Sequence, residues 1–253
     1  MMKRKRKCVV KKYKFKKQNH KFKRLLLFFK DCKRKKFYSC NFAKSRGFKG
    51  HSNNSTFKNV NFRGAIFTKC SFKNSTFINV EFMGSNLKGT NFTNSKFKHC
   101  IFSATLLKNT NFFNCEFENC IFIATNTNLA KNLMFDKFKN TVLPTHMVIQ
   151  NLELETLELF GKLKFIPELT YSRVLYLKNG KLNSLTINML VNKFTEYEIQ
   201  NAINNILSEM NHINFFKKVI TSFQFILLID KFKNKSENKT ALPHSIERLK
   251  SAE

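Results

Sequence analysis

The chain has 253 residues, with 46 Lys or Arg against 16 Asp or Glu and a formal net charge of +30. So large a surplus favours polyanionic partners, and only 7 Gly and 16 acids leave little material for a phosphate-cradling loop or paired catalytic carboxylates. The longest apolar run, Phe223 to Ile229, is interrupted by Gln224 and falls well short of the ~20 residues that span a bilayer.

The charge is concentrated at the start. Residues 1–50 hold 21 basic residues against the single acid Asp31. The blocks "MMKRKRK", "KKYKFKK", "KFKR" and "CKRKK" are too basic to form a core, so residues 1–36 are expected to form an arm or cap that orders on a partner. The residues expected to contact nucleic acid are Lys3, Arg4, Lys5, Arg6, Lys7, Lys11, Lys12, Lys14, Lys16, Lys17, Lys21, Lys23, Arg24, Lys33, Arg34, Lys35 and Lys36. Their ammonium and guanidinium groups would displace condensed counterions, and the interleaved Tyr13, Phe15 and Phe22 offer rings for stacking. Two alternatives stand beside this reading: a solvated tail, and an anionic membrane surface that takes up the apolar "LLLFF" at 25–29. That stretch is too short for a secretory signal, which needs about 7 to 15 apolar residues.

From Phe57 to Phe122 every fifth residue is Phe or Leu, in the order Phe57, Phe62, Phe67, Phe72, Phe77, Phe82, Leu87, Phe92, Phe97, Phe102, Leu107, Phe112, Phe117 and Phe122. Helical side chains return to one face every 3.6 residues and strand side chains every 2, so a period of five demands a backbone that turns a corner at each pentad. The residue two before each large one is small, from Ser55 and Val60 through Cys115 and Cys120. Sorting by twenties groups Val60, Val80, Cys100 and Cys120 in one column and Asn54, Asn74, Asn94 and Asn114 in another. Four pentads per coil follow, with coils stacked at about 4.8 Å. Phe37 and Phe42 keep the register, but Gly47 and Ser52 leave the first coil imperfect. After Phe122 the phase slips to Leu129 and Met134, which places the end of the coil near Lys131.

Units such as "VNFRG", "CSFKN", "SNLKG" and "TNFTN" resemble the pentapeptide-repeat family over about residues 37–131. The resemblance implies a mainly β fold, a right-handed, four-sided β-helix. Some members protect type II topoisomerases by imitating the negative surface of DNA. This coil, with 11 basic residues against 4 acids over 51–140, does not carry the charge for that role.

Five of the seven cysteines, Cys40, Cys70, Cys100, Cys115 and Cys120, fall on the small inward positions and are read as packing residues. Cys8 and Cys32 lie outside that register and have no zinc-ligand spacing, and an odd count with inward thiols fits a reducing cytoplasm, secretion as an effector being the alternative. His99 is read as an outward substitute for Asn, and a catalytic pairing with Cys100 is disfavoured because the thiol should point inward. Six apolar residues predicted to face outward, Met83, Ile101, Leu106, Phe113, Ile121 and Ile123, call for a cover: the chain's own C-terminal region, a homodimer or a protein partner.

From about residue 141 to 231 the sequence reads as a small α+β domain. Asn179-Gly180 between apolar runs predicts a type I′ hairpin. Thr195 with Glu198 predicts a capping box, followed by one apolar face through Ile199, Ala202, Ile203, Ile206, Leu207, Met210 and Ile213, and a second helix is expected from about Phe215 to Ile229. Residues 232–253 read as a polar tail. The sequence as a whole points to a non-enzymatic scaffold without cofactor, metal or small-molecule substrate, its arm on nucleic acid and its coil presenting a protein-binding face. A peripheral membrane protein is the alternative.

Overall fold

The computed structural model describes residues 9–12, 25–28, 32–145, 148–149, 151–209, 216, 219 and 221–233. Parallel strands β3 (Lys36–Asn41), β5 (Thr56–Asn61), β7 (Thr76–Glu81), β8 (Lys96–Lys98) and β10 (Glu116–Glu118) stack with Phe37 on Phe57, Phe77, Phe97 and Phe117 in turn. A second column pairs β9 (Ile101–Ser103) with β11 (Ile121–Ile123), and a third pairs β4 (Arg46–Phe48) with β6 (Ile66–Thr68). The remaining side closes through single bridges such as Ser71 to Asn91 and Asn91 to Asn111. Every pairing is offset by twenty residues, so each coil takes four pentads.

The corners explain the Asn-rich repeat. A left-handed residue recurs at five-residue intervals: Asn54, Asn74, Asn94 and Asn114 have φ between 53° and 58°, Asn59, Asn79, His99 and Asn119 mark the next side, and Gly64, Gly84, Ala104 and Ala124 the one after. Asn and Gly enter this region at least cost, which is why they crowd these positions. The Asn side chains also join along the rod, with Asn94 Nδ2 donating to Asn74 Oδ1 (3.2 Å) and Asn114 Nδ2 to Asn94 Oδ1 (3.0 Å).

Inside, Phe rings stack in columns. Centroids lie 5.0 Å apart for Phe57 and Phe77, 4.8 Å for Phe77 and Phe97, and 4.9 Å for Phe97 and Phe117. Small inward residues bind backbone in most coils, Ser52 Oγ in the first coil being a buried hydroxyl without a partner among the described residues. Ser75 Oγ donates to the Ser52 carbonyl (3.1 Å) and Ser95 Oγ to that of Phe72 (2.9 Å). Cys40, Cys70, Cys100, Cys115 and Cys120 are free thiols on this lining, where they pack against the core, and burial pushes Cys70 and Cys115 up to about 11, which leaves those two poor nucleophiles.

Both ends run farther than the apolar pattern. The Cys32 N–H donates to the His51 carbonyl (2.7 Å), and Cys32 sits fully buried in the column of Ser52, Phe72 and Phe92. The coil therefore starts one pentad before Phe37. Cys32 lies inside the register, contrary to the expectation from sequence, because Gly47 and Ser52 interrupt the apolar signal that would have reached it. Cys32 is also disulfide-bonded, its partner lying outside the described residues. At the far end, β12 (Thr141–Leu143) pairs with β11, Ile121 to Thr141 and Ile123 to Leu143, so the ladder passes Lys131. Leu129 and Met134 do not continue the core, being 42% and 81% exposed. A 3-10 turn at Thr127–Leu129 shifts the phase, and Ala130, Leu133 and Phe135 close the end, with Phe135 stacked 5.0 Å from Phe122.

On the N-terminal side, β1 (Val9–Lys12) pairs antiparallel with β2 (Leu25–Phe28), and β2 joins β4 through Phe28 and Arg46. Lys11 and Lys12 thus lie on a strand that extends the β4–β6 side. Lys3, Arg4, Lys5, Arg6, Lys7, Lys14, Lys16, Lys17, Lys21, Lys23 and Arg24 lie outside the described residues, as do Tyr13, Phe15 and Phe22.

The C-terminal region is helical: α1 (Leu154–Leu163), α2 (Pro167–Ser172), α3 (Ser184–Val191), α4 (Glu196–Ser208) and α5 (Ser222–Phe232) surround one cluster containing Phe160, Leu190, Ile203 and Phe225. The expected capping box is present at Thr195 and Glu198, and Ile199, Ala202, Ile203 and Ile206 are buried; Met210 and Ile213 lie outside the described residues. Helix α5 begins at Ser222, capped by Thr221. The Asn179-Gly180 turn contributes one antiparallel bridge, Tyr176 to Leu182, in place of the strands expected of an α+β domain. Only Gly180 of the pair is left-handed (φ 77°), and its N–H donates to Leu177 O (3.0 Å), which makes a type I turn followed by a left-handed Gly rather than type I′. No helix among the described residues is long and apolar enough to cross a membrane.

Candidate functional site: the two sides of the coil

The helices cover one side. Ile101 and Ile123 are fully buried with Leu185 of α3, and Met83, Ile121, Leu143 and Phe223 pack around them. Four of the six outward apolar residues, Met83, Ile101, Ile121 and Ile123, thus meet the chain's own helices, while Leu106 and Phe113 stay exposed.

At the centre of this seam lies Glu81, a fully buried carboxylate on β7. Its Oε1 accepts from the Ser222 N–H (2.5 Å), so a side chain of the coil caps the first turn of α5, where the helix dipole favours a negative charge. Arg63, mostly buried itself, approaches Glu81 Oε2 at 4.0 Å and gives Nη2 hydrogen bonds to the Arg173 carbonyl (3.1 Å) and Met83 Sδ (3.2 Å). Asn61 adds a hydrogen bond to the Ser172 carbonyl (3.1 Å). Burial pushes the Glu81 carboxyl up, against the opposing pull of Arg63 and Ser222. Burial likewise lowers Arg63, with Glu81 opposing. Sequence reasoning missed this pair, because an acid and a base on outward positions read as ordinary surface.

A groove of about 670 Å³ flanks the seam, floored by Ile78, Met189, Phe223 and Ile226 and rimmed by Lys58 and Lys193. His99 lies on its wall, 5.2 Å from the Phe223 ring, and is held below its usual value by burial and by Lys98. It fills an Asn corner (φ 52°), while Cys100 points into the fully buried core, so the two are not a catalytic pair.

The opposite side is left open by the described residues and is differently charged. Its pentads, residues 45–54, 65–74, 85–94 and 105–114, carry exposed Arg46, Lys49, Lys69, Lys73, Lys88 and Lys108 and no acid. The matching pentads of the covered side hold Lys58, Arg63, Lys96 and Lys98 together with Glu81, Glu116 and Glu118. Lys96 pairs with Glu116 (2.8 Å) and Lys98 with Glu118 (2.6 Å). Lys33, Arg34, Lys35 and Lys36 sit at one corner of the first coil, all exposed.

Geometry and repeat agree with the comparison to known families. Residues 55–94 and 90–129 match the model for pentapeptide repeats, in eight copies. The coil is a pentapeptide-repeat coil. Solved structures similar to this chain include a pentapeptide repeat protein from the Arabidopsis thaliana thylakoid lumen (13% identity, 50% of this chain and 75% of that one, TM-score 0.25). Rfr23, a pentapeptide repeat protein from the cyanobacterium Cyanothece 51142, matches at 17% identity over 46% of this chain and 90% of its own (TM-score 0.23). HetL, a pentapeptide repeat protein involved in heterocyst differentiation regulation from Nostoc sp. strain PCC 7120, matches at 8% identity over 48% and 71% (TM-score 0.22). No curated protein matches the chain.

Proposed function

We propose that this protein is a non-enzymatic scaffold in which the pentapeptide-repeat coil is a rigid mount for a basic N-terminal arm that grips nucleic acid. One observation carries the reading: 21 basic residues against one acid in residues 1–50, with the arm's strands β1 and β2 attached to the uncovered side of the coil. Such an arm supplies affinity and fast encounter with little sequence readout. A mount of stacked coils holds it at a fixed place, and the helices occupy the side that would otherwise expose Ile101 and Ile123. Leu25–Phe28, the segment that would insert into a membrane under the alternative, is engaged as a strand between β1 and β4.

The test replaces Lys3, Arg4, Lys5, Arg6 and Lys7 with Gln and measures binding to mixed-sequence DNA and RNA, and to anionic liposomes, across a salt series. Affinity for nucleic acid should fall for all sequences alike and the salt slope should become shallower. Unchanged nucleic-acid affinity, or liposome binding that persists at high salt, would transfer the arm to another partner.

A further inference from the structure

We propose that the uncovered side of the coil is itself a binding surface for single-stranded nucleic acid, running on from the arm. The proposal rests on the polyanion reading above and extends it from the arm to named positions on the rod.

Three observations meet on this side. The first is charge: Arg46, Lys49, Lys69, Lys73, Lys88 and Lys108 are all exposed, no acid lies among them, and each of four successive coils supplies at least one. At about 4.8 Å per coil they form a stripe some 15 Å long, on a scale that tracks a few backbone phosphates. On the covered side the cations of β8 are instead neutralised by Glu116 and Glu118 one coil above. The second is aromatic. Phe48 is 64% exposed and Phe113 57% exposed, in columns whose other members are Thr68, Lys88 and Lys108, or Asn53, Lys73 and Thr93. The coil therefore folds with polar residues at these positions, and packing gives no account of the two rings. Lys49 already lies over the Phe48 ring, 5.4 Å from its centroid. The third is continuity. Strands β1 and β2 extend the sheet of β4 and β6, so the backbone of Lys11 and Lys12 joins this same side.

Cations interleaved with isolated exposed rings suit a strand whose bases are unpaired, since the phosphates meet the lysines while bases stack on Phe48 and Phe113. A duplex would offer the coil's lysines phosphates alone, because the two coil faces that make up this side project no helix or ribbon of their own to enter a groove. For a membrane the exposed apolar groups, Phe48, Ile66, Leu106 and Phe113, are scattered between cations rather than gathered into one inserting patch.

The experiment uses the full chain and a labelled oligo(dT), a labelled duplex and phosphatidylserine vesicles, at several salt concentrations. Replacing Lys69, Lys73, Lys88 and Lys108 with Gln, with the arm intact, should weaken oligo(dT) binding at least tenfold and lower the magnitude of the salt slope by roughly 0.7 for each phosphate no longer neutralised. Lys96→Gln with Lys98→Gln, on the other side, should change affinity less than twofold. Phe48→Ser with Phe113→Ser should weaken oligo(dT) by about five- to 100-fold and leave the duplex nearly unaffected. All these positions are exposed, so a matching thermal melt verifies that each variant is folded. Wild-type binding and slope in the lysine variant overturn the proposal, and if arm neutralisation still abolishes binding the arm reading survives alone. Equal loss of oligo(dT) and duplex with no effect of the ring changes overturns the single-strand assignment. Vesicle binding that depends on Phe48 and Phe113 overturns it in favour of a lipid surface.

Discussion

The side of the coil beneath the helices and the side left open share one backbone, one set of corners and one Phe core, yet their outward residues have opposite characters. Beneath the helices the outward column reads Asn41, Asn61, Glu81, Ile101 and Ile121, with Asn61, Glu81 and Ile101 fully buried and Asn41 and Ile121 half-buried; on the open side it reads Arg46, Ile66, Asn86 and Leu106 and stays accessible. Inward positions are dictated by the rod, because every coil must place a large and a small residue against its neighbours. Outward positions are not, so partner recognition can differ from side to side without cost to the fold. The repeat therefore specifies architecture, and the departures from it specify contacts.

The largest effect should come from breaking what the two sides share. Phe97 stacks between Phe77 and Phe117 and meets Phe92 and Phe112 edge-on, so Phe97→Ala opens a cavity in the middle of the rod and should cost about 3–5 kcal/mol. Because coils contact only their neighbours, hydrogen exchange should accelerate in β7 and β10 more than in α4. Equal acceleration in α4 would mean that coil and helices unfold as one unit and that the contrast between them is not energetic.

The next change sharpens the contrast at the seam. Glu81→Ala leaves Arg63 without its buried partner and the Ser222 N–H without its cap, and should cost about 3 kcal/mol, at the low end for a broken buried pair because Arg63 keeps its bonds to Arg173 and Met83. Glu81→Gln retains an acceptor for Ser222 and should cost less. A pH series separates charge from shape. An acid raised in the folded state binds its proton more tightly folded than unfolded, so the Glu81 contribution is most favourable below the ordinary Glu value and falls as pH rises from there through the folded-state value. Melts between pH 4 and 8 should show that decline in the wild type and lose it in Glu81→Gln; an unchanged slope would assign it to other groups.

How much of this was legible in sequence follows from the same division. Period five and the twenty-residue columns were readable because each is a repeated constraint, and the outward apolar cluster because it breaks a polar pattern those columns define. Cys32 and Phe135 were not, because at the ends backbone hydrogen bonding continues where the apolar signal stops or, after Thr127, shifts phase. Helix α1 carried a readable signal, Thr156, Leu159, Phe160 and Leu163 at helical spacing, that the mixed composition of the region masked. Glu81 and Arg63 offered none, since only the docking of α5 distinguishes them from surface residues. The charge asymmetry between the two sides was present in the sequence once the pentads are assigned to sides, but a total over 51–140 averages it away.

The smallest effects lie at the corners and test whether both sides turn by the same rule. Asn94 has φ 58° and is bonded to Asn74 and Asn114, so Asn94→Ala should cost about 1 kcal/mol, the left-handed penalty for a residue without Asn's local hydrogen bonding, whereas Asn94→Gly should recover most of it. Ala104 poses the reverse case, since it already sits at φ 47° where Gly64 and Gly84 occupy the equivalent corners. Ala104→Gly relieves about 1–2 kcal/mol of steric penalty but restores roughly 0.4–1 kcal/mol of conformational entropy to the unfolded chain. The two terms oppose, and the first is larger, so the substitution should stabilise slightly, by less than about 1 kcal/mol in a denaturant titration. A loss of stability would mean that the Ala104 methyl makes a contact on the covered side that outweighs its backbone strain, and that the two sides do not turn by the same rule.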